Sequence, residues 1–444
     1  MRRLLASSHP LLLVALVSHL GTSALARPQE RFQAEIVSAL EKLESDQNPD
    51  SQAVAHRLTA MGPEATAAVF AVLVEGRYSD GPDGVLGPEQ RASLIAVLQA
   101  WPAARVVKDV VAAVRPEDSL SKRLLAIEVV GATGSAPTLD AFLDLVAGVP
   151  PPVLQTPVTQ EIVKTGLRDL LAREPHALLG LARLVRSGQL DPTVVELSIR
   201  AVALVPHREA TGLLERIQRD EPQWKLVILE ALGTVGIAGS PEVRRHAARI
   251  LSRALASTDP RARQQAAVSL GRLQNTEFIG ELIELLDDGG RVRRKARWAL
   301  TEITGHSWSE QDRWRRWYAA ENDWFASEGD ARIEEVYGPD RGRALEALRQ
   351  LAKHDLFRIE LTDALIEAIR HEDPKVAAGV CTTLGRLSDP GSLVHLIAAL
   401  EDDRGGVADA ALRALHGITG TKLPGSPELW HRWLENPYAS ASRS

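Results

Sequence analysis

The chain contains one segment twice. Residues 259–317 and 373–433 align along their whole length. Asp259-Pro260 corresponds to Asp373-Pro374, and Leu270-Gly271-Arg272-Leu273 to Leu384-Gly385-Arg386-Leu387. Ile279, Leu282, Ile283 and Leu286 correspond to Leu393, Leu396, Ile397 and Leu400, and all of these pairs lie 114 residues apart. One inserted residue then moves the offset to 115, where Leu300, Ile303, Thr304 and Gly305 match Leu415, Ile418, Thr419 and Gly420. Trp314 and Trp317 match Trp430 and Trp433 at 116. A register held that long identifies two copies of one module. Fixed internal periods belong to repeat architectures, in which a core is extended by stacking.

A shorter period runs inside each module. Leu270 to Leu300 is 30 residues and Leu384 to Leu415 is 31. Each such unit has room for two amphipathic helices. Ile279, Leu282, Ile283 and Leu286 follow the i, i+3, i+4, i+7 spacing of a helix with one buried face. Asp259-Pro260 and Asp373-Pro374 read as helix starts: Asp accepts from free backbone N–H groups, and proline gives up an N–H that had no partner. The apolar pattern continues past Gly271 and Gly385, so they are expected where the two helices of a pair approach closely. Upstream, Asp191-Pro192 and Ser240-Pro241 open further helices, and 124–130 with 139–146 form another pair. Strand-like alternation is absent. The Gly/Pro-rich stretches 79–88 and 148–157 read as breaks. Asp287-Asp288 and Glu401-Asp402-Asp403 fall at turns and are expected to cap the following helix. The fold expected is all-α, an α-solenoid of stacked antiparallel helix pairs, each pair touching only its neighbours. Its divisions are 27–187 (divergent helical repeats), 188–320 (repeats ending in a Trp-x-x-Trp helix) and 321–444 (the second copy).

These units resemble HEAT repeats, particularly the short bacterial kind related to phycobilin lyase subunits. The family pattern is Asp-Pro, Val-Arg, Ala, then Ala-Leu-Gly. It stands here as Asp259-Pro260, Ala262-Arg263, Ala266 and Leu270-Gly271, again as Val292-Arg293, Ala296 and Ala299-Leu300, and as Val243-Arg244 with Ala247. In the later copy Ala377 and Ala408 replace the family's arginine. A ladder of Asp–Arg pairs is therefore expected to break there. The resemblance is strongest over 188–433 and weaker over 27–187. It implies a superhelical fold and, by itself, no activity.

Residues 1–26 read as a secretory signal: Arg2-Arg3, an apolar run from Leu11 to Leu20, and Ala24-Leu25-Ala26 as a cleavage pattern cut after Ala26. The run is too short to span a bilayer, and no later stretch reaches spanning length. Cleavage removes two arginines and no acid, so the formal charge moves from −6 to −8 over 418 residues. That balance argues against a general affinity for nucleic acid. The expected location is secreted or periplasmic. Cys381 is the one cysteine, which excludes an intrachain disulfide framework.

Catalytic constellations are hard to find. H-E-x-x-H, G-x-S-x-G and the phosphate- and dinucleotide-binding glycine patterns do not occur. Asp80 and Asp83 lie in a loop without the remaining ligands of a calcium site. His395, His416 and His431 fall on different helices. Cys381 reads as a packing residue. No catalytic residue, metal or cofactor is expected. The notable cluster is tryptophan with arginine. Trp298, Trp308, Trp314, Trp317 and Trp324 accompany Arg291, Arg293, Arg294, Lys295, Arg297, Arg313, Arg315 and Arg316. The copy keeps the Thr-Gly turn and the Trp-x-x-Trp helix but not the basic surroundings. Trp314, Trp317, Trp430 and Trp433 are therefore expected to pack. Arg291, Arg293, Arg294, Lys295, Arg297, Arg313 and Arg316 remain as candidate binding residues. The function expected is an exported, non-enzymatic scaffold that binds a protein or peptide. The alternatives are a binder of an anionic polymer through 291–317, or an enzyme subunit of the lyase type.

Overall fold

The computed structural model describes residues 32–40, 56–77, 85–174 and 176–435. The signal-like segment 1–26 and Asp80 and Asp83 lie outside them. The described residues are helical apart from turns and one isolated bridge between Arg77 and Val85. Among the described residues no helix is long and apolar enough to cross a membrane. The chain divides between Val202 and Ala203 into two compact units.

In the first unit the helices are α1 (Thr66–Glu75), α2 (Pro88–Ala100), α3 (Ala103–Ala112), α4 (Leu120–Thr133), α5 (Leu139–Ala147), α6 (Pro157–Arg173), α7 (Ala177–Arg186) and α8 (Pro192–Val202). They form two layers. The even-numbered helices α2, α4, α6 and α8 stack in order, and α1, α3, α5 and α7 stack beside them. At the α4–α6 crossing Gly131 meets Gly166: a methyl group on Gly131 would stand 2.3 Å from the Gly166 Cα. Only two glycines allow backbones that close. The stretch 148–157 is not an irregular break. Pro151–Leu154 forms a helical turn and Pro157 opens α6, so its prolines stand at helix starts.

The second unit begins with α9 (Arg208–Asp220), α10 (Lys225–Ala238), α11 (Pro241–Leu255), α12 (Pro260–Leu273), α13 (Ile279–Glu284), α14 (Gly290–Thr304) and α15 (Gln311–Trp324). A π-helical stretch, Phe325–Gly329, carries α15 directly into α16 (Asp330–Val336). Then follow α17 (Arg341–Leu351), α18 (Arg358–Leu365), α19 (Pro374–Leu387), α20 (Leu393–Ala398), α21 (Val407–Thr419) and α22 (Pro427–Glu435). One layer is α10, α12 and α14, and α17, α19 and α21 stack in the same way in the second module. The other is α9, α11, α13 and α15. Local rules set the helix starts. The Asp259 side chain accepts from the Arg261 N–H at 2.9 Å, and Asp373 accepts from Lys375 at the same distance, each with proline at the first helical position. Gln274 and Ser388, again 114 residues apart, end α12 and α19 in left-handed backbone at φ 50° and 54°.

Gly271 and Gly385 do mark close approaches, but not between the helices of a pair. A Cβ on Gly271 would lie 2.8 Å from the Ala299 Cα, and one on Gly385 2.9 Å from the Ala414 Cα. Ala299 is on α14 and Ala414 on α21. The contact joins equivalent helices of successive repeats, within one layer. The antiparallel partner is held instead by the larger residues Leu282, Ile283, Leu396 and Ile397, which are all buried.

The carboxylates at the turns do not cap helices either. Arg263 donates to both oxygens of Asp288, at 2.6 and 2.9 Å, and to the Ser257 carbonyl at 2.7 Å. Arginine is missing at the equivalent Ala377, yet the ladder does not break there. Asp402, the counterpart of Asp288, accepts from Arg404 at 2.6 Å. Arg404 also donates to the His371 carbonyl at 2.5 Å, and His371 is the counterpart of Ser257. A guanidinium thus bridges the same carboxylate and the same carbonyl in both copies, reached once from the helix and once from the loop.

The pairs do not touch only their neighbours. Arg358, buried on α18, donates to the Ile303 carbonyl at 3.2 Å and to the Gln274 carbonyl. These carbonyls end α14 and α12, where a cation is favoured. Arg245 on α11 lies 3.7 Å from Asp363 on α18. The second module is therefore tied back to the first across more than one repeat. The connection runs through the continuous helix 311–336, on which Phe325 stacks against Phe357 with centroids 4.0 Å apart.

Hydrogen bonds from Arg263 and Arg404 hold the Asp288 and Asp402 carboxyls below the usual carboxylate range. A depressed carboxyl stabilises the fold above its unfolded pKa of about 4 and loses that contribution as pH falls through the lower folded value. Arg404→Ala is expected to cost about 1 kcal/mol at pH 7. The gap to wild type should narrow below pH 3 in thermal melts. Adding Ala377→Arg to Arg404→Ala should restore most of the melting temperature, because the guanidinium then returns along the route Arg263 takes.

Candidate interaction surface

The Thr304 hydroxyl donates to the Leu300 carbonyl at 2.8 Å and accepts from the His306 N–H at 3.2 Å. Thr419 repeats both bonds, to Leu415 at 2.7 Å and from Thr421 at 3.1 Å. Gly305 and Gly420 follow in left-handed backbone. The turn delivers Trp314 and Trp430 into the stack, both at 0% exposure. Their indole N–H groups donate to the carbonyls of Trp308 (3.1 Å) and Pro424 (3.0 Å), again equivalent positions. Trp317 and Trp433 pack edge-on, each 5.9 Å from its partner ring. All four are packing groups, as their duplication implies.

Trp308 differs. The copy keeps its carbonyl through proline but not its ring, which here packs edge-on against Trp314 with centroids 4.8 Å apart. The indole stacks on His306 (4.2 Å, 15°), and Arg313 lies over it at 4.7 Å. Trp308, Glu310, Arg313, Arg316 and Trp317 line an open, shallow concavity. A second, on α9–α11, is lined by Glu215, Arg219, Lys225 and Arg253 among others.

The structure splits the candidate cations. Arg313 and Arg316 belong to that concavity on α15, whereas Arg291, Arg293, Arg294, Lys295 and Arg297 belong to α14 in the other layer. Arg293 is committed to the Leu286 carbonyl at 2.7 Å. Arg315 pairs with Glu284 and Asp287. Arg291, Arg294, Lys295 and Arg297 are exposed and make no side-chain hydrogen bond or ion pair among the described residues.

On the solvent face of α14, Arg291, Arg294, Lys295 and Trp298 follow i, i+3, i+4, i+7 spacing. Two further cations on the neighbouring α12 were not singled out from the sequence. Arg261 and Arg272, with Gln265 and Val268 between them at i+4 and i+7, form the solvent face of that helix. Arg261 is the counterpart of Arg291 in the 30-residue register, which is the signal that could have found it. Trp298 is half-buried, its ring edge over Gly271. The two rows are adjacent because Gly271 and Ala299 bring the helices together.

Two groups inside the stack are displaced by burial. Burial pushes the Cys381 thiol up to about 12. Burial also lifts the Asp389 carboxyl above its ordinary range, against the pull of Arg244 and Arg358. Among the described residues no group of His, Cys, Asp and Glu is arranged to hold a metal ion.

Three outcomes are expected. Trp314→Ala should cost about 3–5 kcal/mol of stability, as expected for a large buried ring. Trp308→Ala, which keeps the carbonyl, should move the melting temperature by no more than a few degrees. Cys381 should resist maleimide at pH 8 in the native protein and react once the chain is unfolded. Rapid native labelling would show that the thiol is not held in the core.

A family model described as HEAT repeats matches residues 210–301 and 334–416. No curated protein matches the chain. Among solved structures the chain is similar to an engineered protein, at 17% identity and a TM-score of 0.27, covering 86% of this chain and 98% of that one. It is also similar to the karyopherin Kap121p bound to the extreme C-terminus of the protein phosphatase Cdc14p, at 12% identity and a TM-score of 0.32, covering 91% of this chain and 47% of that one. A third similarity is to Kap95p in its complex with RanGDP, at 12% identity and a TM-score of 0.30, covering 92% and 59%. The chain spans about half the length of Kap121p. Residues 210–301 and 334–416 of this chain are HEAT repeats, and its second unit is an α-solenoid built from them.

Proposed function

We propose that this protein is an exported, non-enzymatic scaffold that binds a protein or peptide on its solenoid surface. One observation carries the reading: the two copies agree where they pack and differ where they face water. The Asp-Pro starts, the Gly–Ala crossings, the guanidinium–carboxylate bridge and the Trp plug all recur. The solvent face of α14 does not recur: Arg291, Arg294, Lys295 and Trp298 stand opposite Gly406, Asp409, Ala410 and Arg413. The three cations have no internal partner among the described residues, and Trp298, half-buried against Gly271, keeps part of its ring in solvent. Stacked repeats offer extended surfaces of this kind. Both concavities are shallow and open, which favours a binding role over catalysis. Export rests on Arg2-Arg3, the apolar run and Ala24-Leu25-Ala26.

Purified 27–444 should retain a defined protein from an envelope or periplasmic extract at both low and high salt. Mass spectrometry of the protein from its native host should find a chain beginning at Arg27. Recovery of polysaccharide or nucleic acid alone, released at moderate salt, would overturn the scaffold reading in favour of an anionic-polymer binder.

A further inference from the structure

We infer that the solvent face of α12 and α14 is a docking site for a short acidic polypeptide segment that carries an apolar side chain. The inference rests on the scaffold reading and names the chemistry of its partner. Arg261 and Arg272 on α12, and Arg291, Arg294 and Lys295 on α14, are exposed and unpaired among the described residues. Of the other arginines in the same module, Arg263 is committed to Asp288, Arg293 to the Leu286 carbonyl and Arg315 to Glu284 and Asp287, whereas Arg297 on α14 is exposed and, like these five, unpaired among the described residues. Five uncommitted cations on two adjoining helices of an acidic protein form a complementary surface for carboxylates.

Trp298 makes the site more than a charged patch. Its ring lies against the α12 backbone at Gly271, so it is held in place before any partner arrives. Tryptophan beside arginine is the composition of interface hot spots. Trp298 on α14 and its 30-residue counterpart Val268 on α12, both partly exposed, supply apolar surface within the two basic rows. The dimensions set the length of the occupant. Arg261 to Arg272 spans about 16 Å of helix, which about five extended residues cover.

A long polyanion fits less well. The basic row of α14 does not recur: its counterparts on α21 are Gly406, Asp409, the buried Ala410 and Arg413, whereas α19 keeps Lys375 and Arg386 at the places of Arg261 and Arg272. A polymer that runs past the patch meets a chain of net charge −6 before processing. A short acidic segment stays within the patch.

The test uses fluorescein-labelled Glu-Glu-Leu-Asp-Glu-Phe, its Gln/Asn analogue, and a sulfated polysaccharide of matched charge, titrated with 27–444 by anisotropy. Saturable binding of the acidic hexapeptide is expected, with no binding of the neutral analogue. Arg294→Glu with Lys295→Glu should weaken binding at least tenfold while the melting temperature holds. Trp298→Gln should weaken it several-fold. The copy tolerates a polar residue there (Arg413), so the variant is expected to fold. Equal binding by wild type and the charge-reversed chain would overturn the inference. So would polysaccharide binding that is tighter and indifferent to Trp298, which would assign the face to a polymer. A partner captured equally well by wild type and by the charge-reversed chain would leave the scaffold reading standing and remove this site from it.

Discussion

Successive repeats meet backbone to backbone, and the rest of the second unit depends on that contact. Gly271 lets α12 reach Ala299 on α14, and Gly385 lets α19 reach Ala414 on α21. A side chain at either glycine would push equivalent helices apart, and every group beyond the crossing would lose its partner. With the crossing closed, the Asp288 and Asp402 turns fall within reach of a guanidinium, and Trp314 and Trp430 have a closed wall to plug. The first unit uses the same device in a stricter form, glycine on glycine at 131 and 166. Close packing is possible only where small residues face each other, and interiors at this density transmit any change of volume.

What duplication preserved is the position of chemical groups more than the identity of residues. The bridge between a turn carboxylate and the carbonyl of residue 257 or 371 survives although its arginine changed place, from 263 to 404. A carbonyl receives the buried indole N–H whether tryptophan or proline supplies it. At these positions the partner is provided by whichever residue can reach, which avoids leaving a turn carboxylate or the fully buried Trp314 or Trp430 indole N–H unpaired. Arg358 extends the logic beyond one repeat. It satisfies the last carbonyls of two helices in the other module. Nearest-neighbour independence, the usual property of a solenoid, is therefore reduced in this unit.

The surface follows the opposite rule. Residues that face water carry no packing duty and are free to diverge between copies. On α14 they have diverged to cations without internal partners among the described residues, beside a half-buried indole, while the cations of α12 recur in the copy as Lys375 and Arg386. Burial of an arginine or tryptophan at an interface contributes most when its neighbours already hold it in position. Trp298 is held in this way by the same glycine that closes the helix crossing.

Much of this was legible in the residue order. The 114-residue register, the Asp-Pro starts, the i, i+3, i+4, i+7 faces and the duplicated Thr-Gly turn identify paired helices and mark Trp314 and Trp430 as core. These are local properties, set by backbone valence and by periodicity along one helix. Three things were decided only in space. Gly271 and Gly385 touch the next repeat and not their own partner helix, because spacing along a chain does not say which neighbour a face meets. Asp288 and Asp402 serve arginines and do not cap helices, and Arg404 replaces Arg263, because a guanidinium can reach one point from two places in sequence. The seven candidate cations separate into two layers, while Arg261 and Arg272 join Arg291, Arg294 and Lys295. Sequence alone determined which residues face water; only the stacking of helices decided which of those faces lie side by side.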